Sequence, residues 1–192
     1  MVIPFDQAAP EAERFPRRLA VSFTEHIDTL DGPLLTRVQM WRGEAALGDA
    51  LDDNSADPDA YRYHDIFHLA FMAVLTWSPV MRYLLNVRRN YDPLIRRNED
   101  GGRAIAIEEG VTAYLFAMAR RHGYFRSLAE IPIEVVDTCR DMTSHLEVSD
   151  RSGRDWRAAI HAGYEVFRDV SAAGGGRVMA DLDDQTLTCE VS

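Results

Sequence analysis

Apolar and polar residues alternate from Arg18 to Glu25 and again from Leu34 to Trp41, the signature of half-buried strands. Asp31-Gly-Pro33 between them is turn chemistry, so the two runs predict a β-hairpin. A second alternation, Arg177 to Asp181 and Thr186 to Val191 around Asp183-Asp-Gln185, predicts a closing hairpin. The stretch between them follows a helical period. Helices are expected from Tyr61 to Thr76, from Pro79 to Arg89 with Ser78 as N-cap, and from Arg103 to Arg121. Two more are expected from Pro132 to Glu147 and from Arg154 to Ala173, the last halted by Gly174-Gly-Gly176. Gly48 to Asp59 and Asn90 to Gly102 read as polar loops, and residues 1–15, with Pro4 and Pro10, as an irregular lead-in. The expected architecture is α+β and mainly α: one domain over residues 16–192. About five helices pack on a small antiparallel sheet formed by the N-terminal and C-terminal hairpins.

The first helix is unusual. Residues turn by about 100° each, which puts His64, His68 and Asp65 in one wedge about 100° wide, while apolar side chains cover nearly all the remaining arc. A helix apolar almost all round is buried, so the wedge must meet something polar inside the protein. His at i and i+4 can share a metal ion, and Asp65 with His68 can do the same. A hydrogen-bonded core His–Asp pair satisfies the same pattern. On the third helix Glu108 and Glu109 both abut apolar neighbours, and paired carboxylates suit a hard cation such as Mg²⁺. A surface ion pair of Glu109 with Arg120 is the alternative.

Composition narrows the partners. The chain has 192 residues and a formal net charge of -10, which disfavours duplex nucleic acid and anionic membrane. All 21 basic residues are Arg. Codon usage accounts for this, as does a demand for bidentate phosphate and carboxylate contacts. Arg82, Arg88, Arg89, Arg96, Arg97 and Arg103 form the one dense basic stretch, suited to a nucleotide or other phosphorylated small molecule or simply solvated. Glu99-Asp-Gly-Gly-Arg103 opens the third helix, where glycines and the helix dipole favour an anion, with Asp100 and Arg103 as candidate substrate contacts. The Asp-rich loop with Asp49, Asp52, Asp53, Asp57 and Asp59 can lend a ligand or serve as turn chemistry. Cys139 and Cys189 form no Cys-x-x-Cys pair, no signal peptide opens the chain, and no apolar run can span a bilayer, so a cytoplasmic location is expected.

Tyr61-Arg-Tyr-His-Asp-Ile-Phe-His-Leu-Ala70, Trp77-Ser-Pro-Val80, Glu99-Asp-Gly-Gly-Arg-Ala104 and Glu108-Glu109 resemble the MazG-like nucleotide pyrophosphohydrolases. They are most similar to the region that follows the MazG domain in longer members, as are Gly163-Tyr-Glu-Val-Phe-Arg168 and Gly175-Gly-Arg-Val178. The resemblance runs from about Phe15 onward. It implies helical cores that bind Mg²⁺ through helix-borne acids, cleave nucleoside triphosphates to monophosphate and pyrophosphate, and tend to form homo-oligomers. The family's metal pattern is Glu-x-x-Glu followed by Glu-x-x-Asp. Here Asp65-x-x-His68 replaces the first pair, and Thr112 and Ala113 stand where a downstream Asp is sought.

Three readings follow. In the first, a hydrolase of nucleoside triphosphates, Asp65, Glu108, Glu109 and His68 hold Mg²⁺ or Mn²⁺. His68, His64 and Glu109 act on the attacking water, and Arg82, Arg89, Asp100 and Arg103 receive the substrate. In the second, the missing acids leave a non-catalytic nucleotide- or protein-binding module. In the third, the wedge is only a satisfied core network.

Overall fold

A computed structural model describes residues 3–28 and 34–191. The turn expected at Asp31-Gly-Pro33 lies outside the described residues. Strand β1 (Arg18–Asp28) pairs antiparallel with β2 (Leu35–Arg42), Ser22 facing Trp41 and Asp28 facing Leu35. A third strand, β3 (Ala45–Leu51), extends this hairpin into part of the sequence read as a loop. Its alternation is broken by a register shift between Val38 and Met40, and Gly48 at φ +66° takes a backbone conformation open to glycine, so a strict period-2 pattern never forms.

The chain then turns helical: α1 (Asp65–Ala70), α2 (Pro79–Leu84), α3 (Pro93–Asn98), α4 (Gly102–Ala119), α5 (Ile133–Met142) and α6 (Gly153–Ala173). It returns as β4 (Gly175–Asp181) and β5 (Thr186–Glu190), and β4 docks on β1 with Arg18 facing Asp181. The sheet order is β3-β2-β1-β4-β5, so both expected hairpins share one antiparallel sheet.

Helix boundaries moved for local reasons. The single helix expected over 61–76 is a 3₁₀ turn (Tyr61–Tyr63), then α1, then one π-helical turn (Phe71–Leu75). α2 stops at Leu84 because Asn86 adopts φ +56°. α3 fills the stretch read as a polar loop, with the Asp92 carboxylate accepting from the Leu94 and Ile95 N–H groups. Its Pro93 after an Asp N-cap is a start signal that the polar composition hid. α5 ends at Met142, where the Thr143 hydroxyl bonds back to the Cys139 carbonyl.

The sheet turns Leu19, Val21, Phe23, Val38, Met40 and Val178 inward. α1 and the π turn lie wholly inside the core, against α6. Close approach there requires Gly163: a Cβ at that position would meet the Phe67 ring at 2.9 Å. The lead-in carries one 3₁₀ turn (Glu11–Glu13) and buries Phe15 and Asp6. The Asp6 carboxylate accepts from the Phe15 N–H at 2.7 Å and from Arg17 at 2.6 Å. Among the described residues no helix is long and apolar enough to cross a membrane.

Candidate metal centre

α1 and α4 bring the two polar clusters of the sequence together. His68, fully buried in the middle of α1, directs Nδ1 at the Glu108 carboxylate, with Nδ1 to Oε1 at 2.8 Å. The same Oε1 accepts from the Ser78 hydroxyl at 2.6 Å, and Oε2 accepts from the Val80 N–H at 2.8 Å. Both oxygens of Glu108 are thus engaged inside the protein. Ser78 serves twice: its Oγ also accepts from the Met81 N–H at 3.0 Å, capping α2 as the sequence suggested. Its donation to Glu108, and that of Val80, were invisible in the sequence because they depend on α2 packing against α4.

The other ring nitrogen of His68, Nε2, is buried and has no hydrogen-bond partner. Glu109 Oε1 lies 3.5 Å from it, and Glu109 Oε2 lies 3.5 Å from His64 Nε2. His64 stands at the start of α1. Its ring stacks on Tyr61 at 4.4 Å, and its Nδ1 lies 3.0 Å from the Tyr61 carbonyl. Asp65 Oδ1 is 3.9 Å from His64 Nε2. The ligand atoms of His64, Asp65 and His68 all lie within 4.8 Å of one another, a spacing that a single ion can bridge.

His64, Asp65 and Glu109 line a cavity of about 360 Å³ between β3, α1, α2 and α4, and His68 lies buried behind them. Asp49, His64, Asp65 and Glu109 give it a polar end, and Leu51 and Tyr83 stand on its apolar walls. Asp49 is the one member of the Asp-rich stretch that lines it, and it sits on β3 rather than on a loop. No arginine lines this cavity among the described residues. A second cavity of about 440 Å³ shares none of its lining and is bounded by Arg62, Tyr124, Arg126 and Arg168.

The electrostatics follow from the packing. Burial opposes a charge on His68, but the charge of Glu108, the hydrogen bond to it and the nearby Glu109 carboxylate outweigh it and raise the imidazole well above its ordinary value. Burial also opposes a charge on Glu109. The nearby His64 and His68 imidazoles prevail and hold its carboxyl far below the usual range. Burial together with Glu109, Asp65 and Asp59 pushes the Tyr61 phenol up to about 12, so it stays neutral.

The sequence-nominated phosphate contacts lie elsewhere. Arg89 donates to both oxygens of Asp100 and, through Nη2 at 2.7 Å, to Glu147. Arg82 reaches Asp6 at 3.3 Å and Asp100 at 3.5 Å. Arg82, Arg89 and Asp100 are therefore buried in one internal ionic network and do not line the cavity. Arg103 is exposed on the first turn of α4, also outside the cavity wall. Arg120 pairs with Asp59 rather than Glu109.

The sequence model of one family, the MazG C-terminal domain, matches residues 1–192. No curated protein and no solved structure matches the chain.

Proposed function

Because the chain belongs to the MazG C-terminal domain family, we propose that it is a divalent-metal-dependent hydrolase of phosphoanhydride bonds. Its substrate class is nucleoside triphosphates or related phosphorylated small molecules, and Mg²⁺ or Mn²⁺ is the cation its family resemblance implies. The observation that carries the reading is the unpartnered Nε2 of His68, buried and held in place from behind by Glu108. Leaving such an atom unpaired inside a protein costs on the order of 1–3 kcal/mol, and an incoming ligand removes that penalty. A carboxylate behind a histidine is also the arrangement that orients imidazole toward a metal.

The fit is chemical as well as steric. His64, at the N-cap of α1, and Asp65 and His68 on α1 would hold the ion, and Glu109 faces both imidazoles from α4. A divalent cation there would supply Lewis acidity and charge neutralisation. Glu109, 40% exposed, would accept the proton of an attacking water. Asp65 fixes the polar end of the cavity, and Leu51 and Tyr83 offer apolar surface to the rest of a substrate. Arg103 lies six residues before Glu109 on α4, about 9 Å along the helix axis and exposed outside the cavity wall.

The test is release of pyrophosphate or phosphate from a panel of nucleoside triphosphates, with Mg²⁺, Mn²⁺, Zn²⁺ or chelator. Turnover should require the cation and fall at least about a hundredfold in Glu109→Gln. No turnover above blank with any cation rejects the hydrolase reading. The absence of arginine from the cavity wall favours a second reading, a non-catalytic nucleotide- or protein-binding module. That module would gain thermal stability from a ligand without forming product.

A further inference from the structure

We infer that this centre is built for an imidazole-preferring first-row cation such as Zn²⁺, and that it discriminates against Mg²⁺. The inference rests on the metal-site reading above but not on catalysis. It starts from two backbone and side-chain acceptors that fix the histidines. A carbonyl cannot donate a hydrogen bond, so the 3.0 Å contact of His64 Nδ1 with the Tyr61 carbonyl puts the proton on Nδ1. The Glu108 carboxylate does the same for His68 Nδ1 at 2.8 Å. With Nδ1 committed in this way, Nε2 is the atom each imidazole would offer to a cation, which would displace any proton there. Both Nε2 atoms face the Glu109 carboxylate, one to each oxygen, at 3.5 Å.

The donor set decides the cation. The ligand atoms of His64, Asp65 and His68 lie within 4.8 Å of one another and form an N₂O set, with the Glu109 carboxylate beside both nitrogens. Imidazole suits Zn²⁺ and neighbouring transition ions, whereas Mg²⁺ demands octahedral oxygen and keeps its waters. The family's acid-only pattern would suit Mg²⁺, and the exchange of its second Glu for His68 moves the site away from it.

Glu108 has a different part from the one its sequence position suggests. It is a positioning residue: it holds the His68 tautomer and spends both oxygens inside the protein.

The test is metal binding by the full chain after chelation, read by elemental analysis, titration calorimetry and thermal shift. One Zn²⁺ per chain should be retained after desalting, with affinity ordered Zn²⁺, then Mn²⁺, then Mg²⁺. At a hundredfold excess over Kd, Zn²⁺ or Mn²⁺ should raise Tm by roughly 5–10 °C, and millimolar Mg²⁺ should leave it unmoved. Glu109→Gln is isosteric at a partly exposed position, so it tests the site in a folded protein and should abolish the shift. His64→Asn should weaken Zn²⁺ at least tenfold while leaving Mg²⁺ unaffected. Binding of Mg²⁺ as tight as that of Mn²⁺, or a Zn²⁺ shift that survives both substitutions, overturns the assignment. Zn²⁺ binding in the stated order without any turnover upholds it and removes only the hydrolase reading.

Discussion

Replacing Glu108 by Gln separates the support of the site from the site itself. The carboxylate accepts three hydrogen bonds, from His68 Nδ1, the Ser78 hydroxyl and the Val80 N–H, and no part of it reaches solvent. An amide has one oxygen and one NH₂ group. If its oxygen takes the place facing His68 and Ser78, the NH₂ confronts the Val80 N–H, donor against donor. If it is flipped, the NH₂ confronts His68 and forces a proton onto Nε2, the atom that would face a cation. One buried donor is lost either way, at about 1–3 kcal/mol, and the charge-assisted bond to His68 weakens as well. Removing one partner of a buried pair typically destabilises by about 3–5 kcal/mol, so about 3 kcal/mol is expected here. For a chain of this size that lowers Tm by roughly 6–12 °C. Glu109→Gln should behave differently. Its carboxylate is 40% exposed and 3.5 Å from each histidine, so solvent screening leaves a stability change of at most about 1 kcal/mol. The assay is urea denaturation of chelated protein, followed by metal titration. Glu108→Gln should lose both stability and metal affinity, and Glu109→Gln metal affinity alone. Equal stability of Glu108→Gln and the parent, within about 0.5 kcal/mol, refutes the assigned support role.

Arg89→Leu would strand Asp100 and Glu147 and should cost about 3–5 kcal/mol in urea denaturation, with the metal-dependent Tm shift retained. A variant that kept its stability and lost only substrate affinity would restore Arg89 to the substrate site. Acid should unfold the protein partly through Asp6. Burial opposes its charge, but hydrogen bonds from Arg17 and the Phe15 N–H, with Arg82 nearby, hold the carboxyl below its ordinary value of 3.8. A carboxyl lowered in the folded state adds stability above 3.8 that is lost as pH falls from there through the folded value. Stability measured against pH should therefore drop less steeply below 3.8 in Asp6→Asn than in the parent, and identical slopes would refute the role of Asp6. Gly163→Ala should destabilise by about 1–3 kcal/mol, because the new Cβ meets the Phe67 ring at 2.9 Å, and an unchanged urea midpoint would show that α6 can shift.

The legible parts of this fold and the hidden ones differ in the range of the contacts that fix them. Both hairpins, the buried first helix and its His64, Asp65 and His68 wedge were visible because period and local chemistry specify them. So was Ser78 as a cap, which acts on a backbone N–H three residues away. β3 stayed hidden because a bulge and Gly48 break its alternation. The π turn at Phe71–Leu75 stayed hidden because an ordinary helical wheel assigns its residues the wrong angles. The arginines diverged most, for a thermodynamic reason. A guanidinium in sequence looks the same whether it awaits a phosphate or neutralises a buried carboxylate, and Asp6, Asp100 and Glu147 are up to 141 residues apart. Only the fold reveals which acids must be paired. The same logic divides Glu108 from Glu109. Neighbours in sequence, they point about 100° apart on α4, one into the core where its oxygens are consumed, the other to the cavity where they are not. A pair of acids that reads as two equal ligands thus becomes one buried support and one acid left facing the cavity, and on the proposed metal reading the imidazole that the support holds would set the cation.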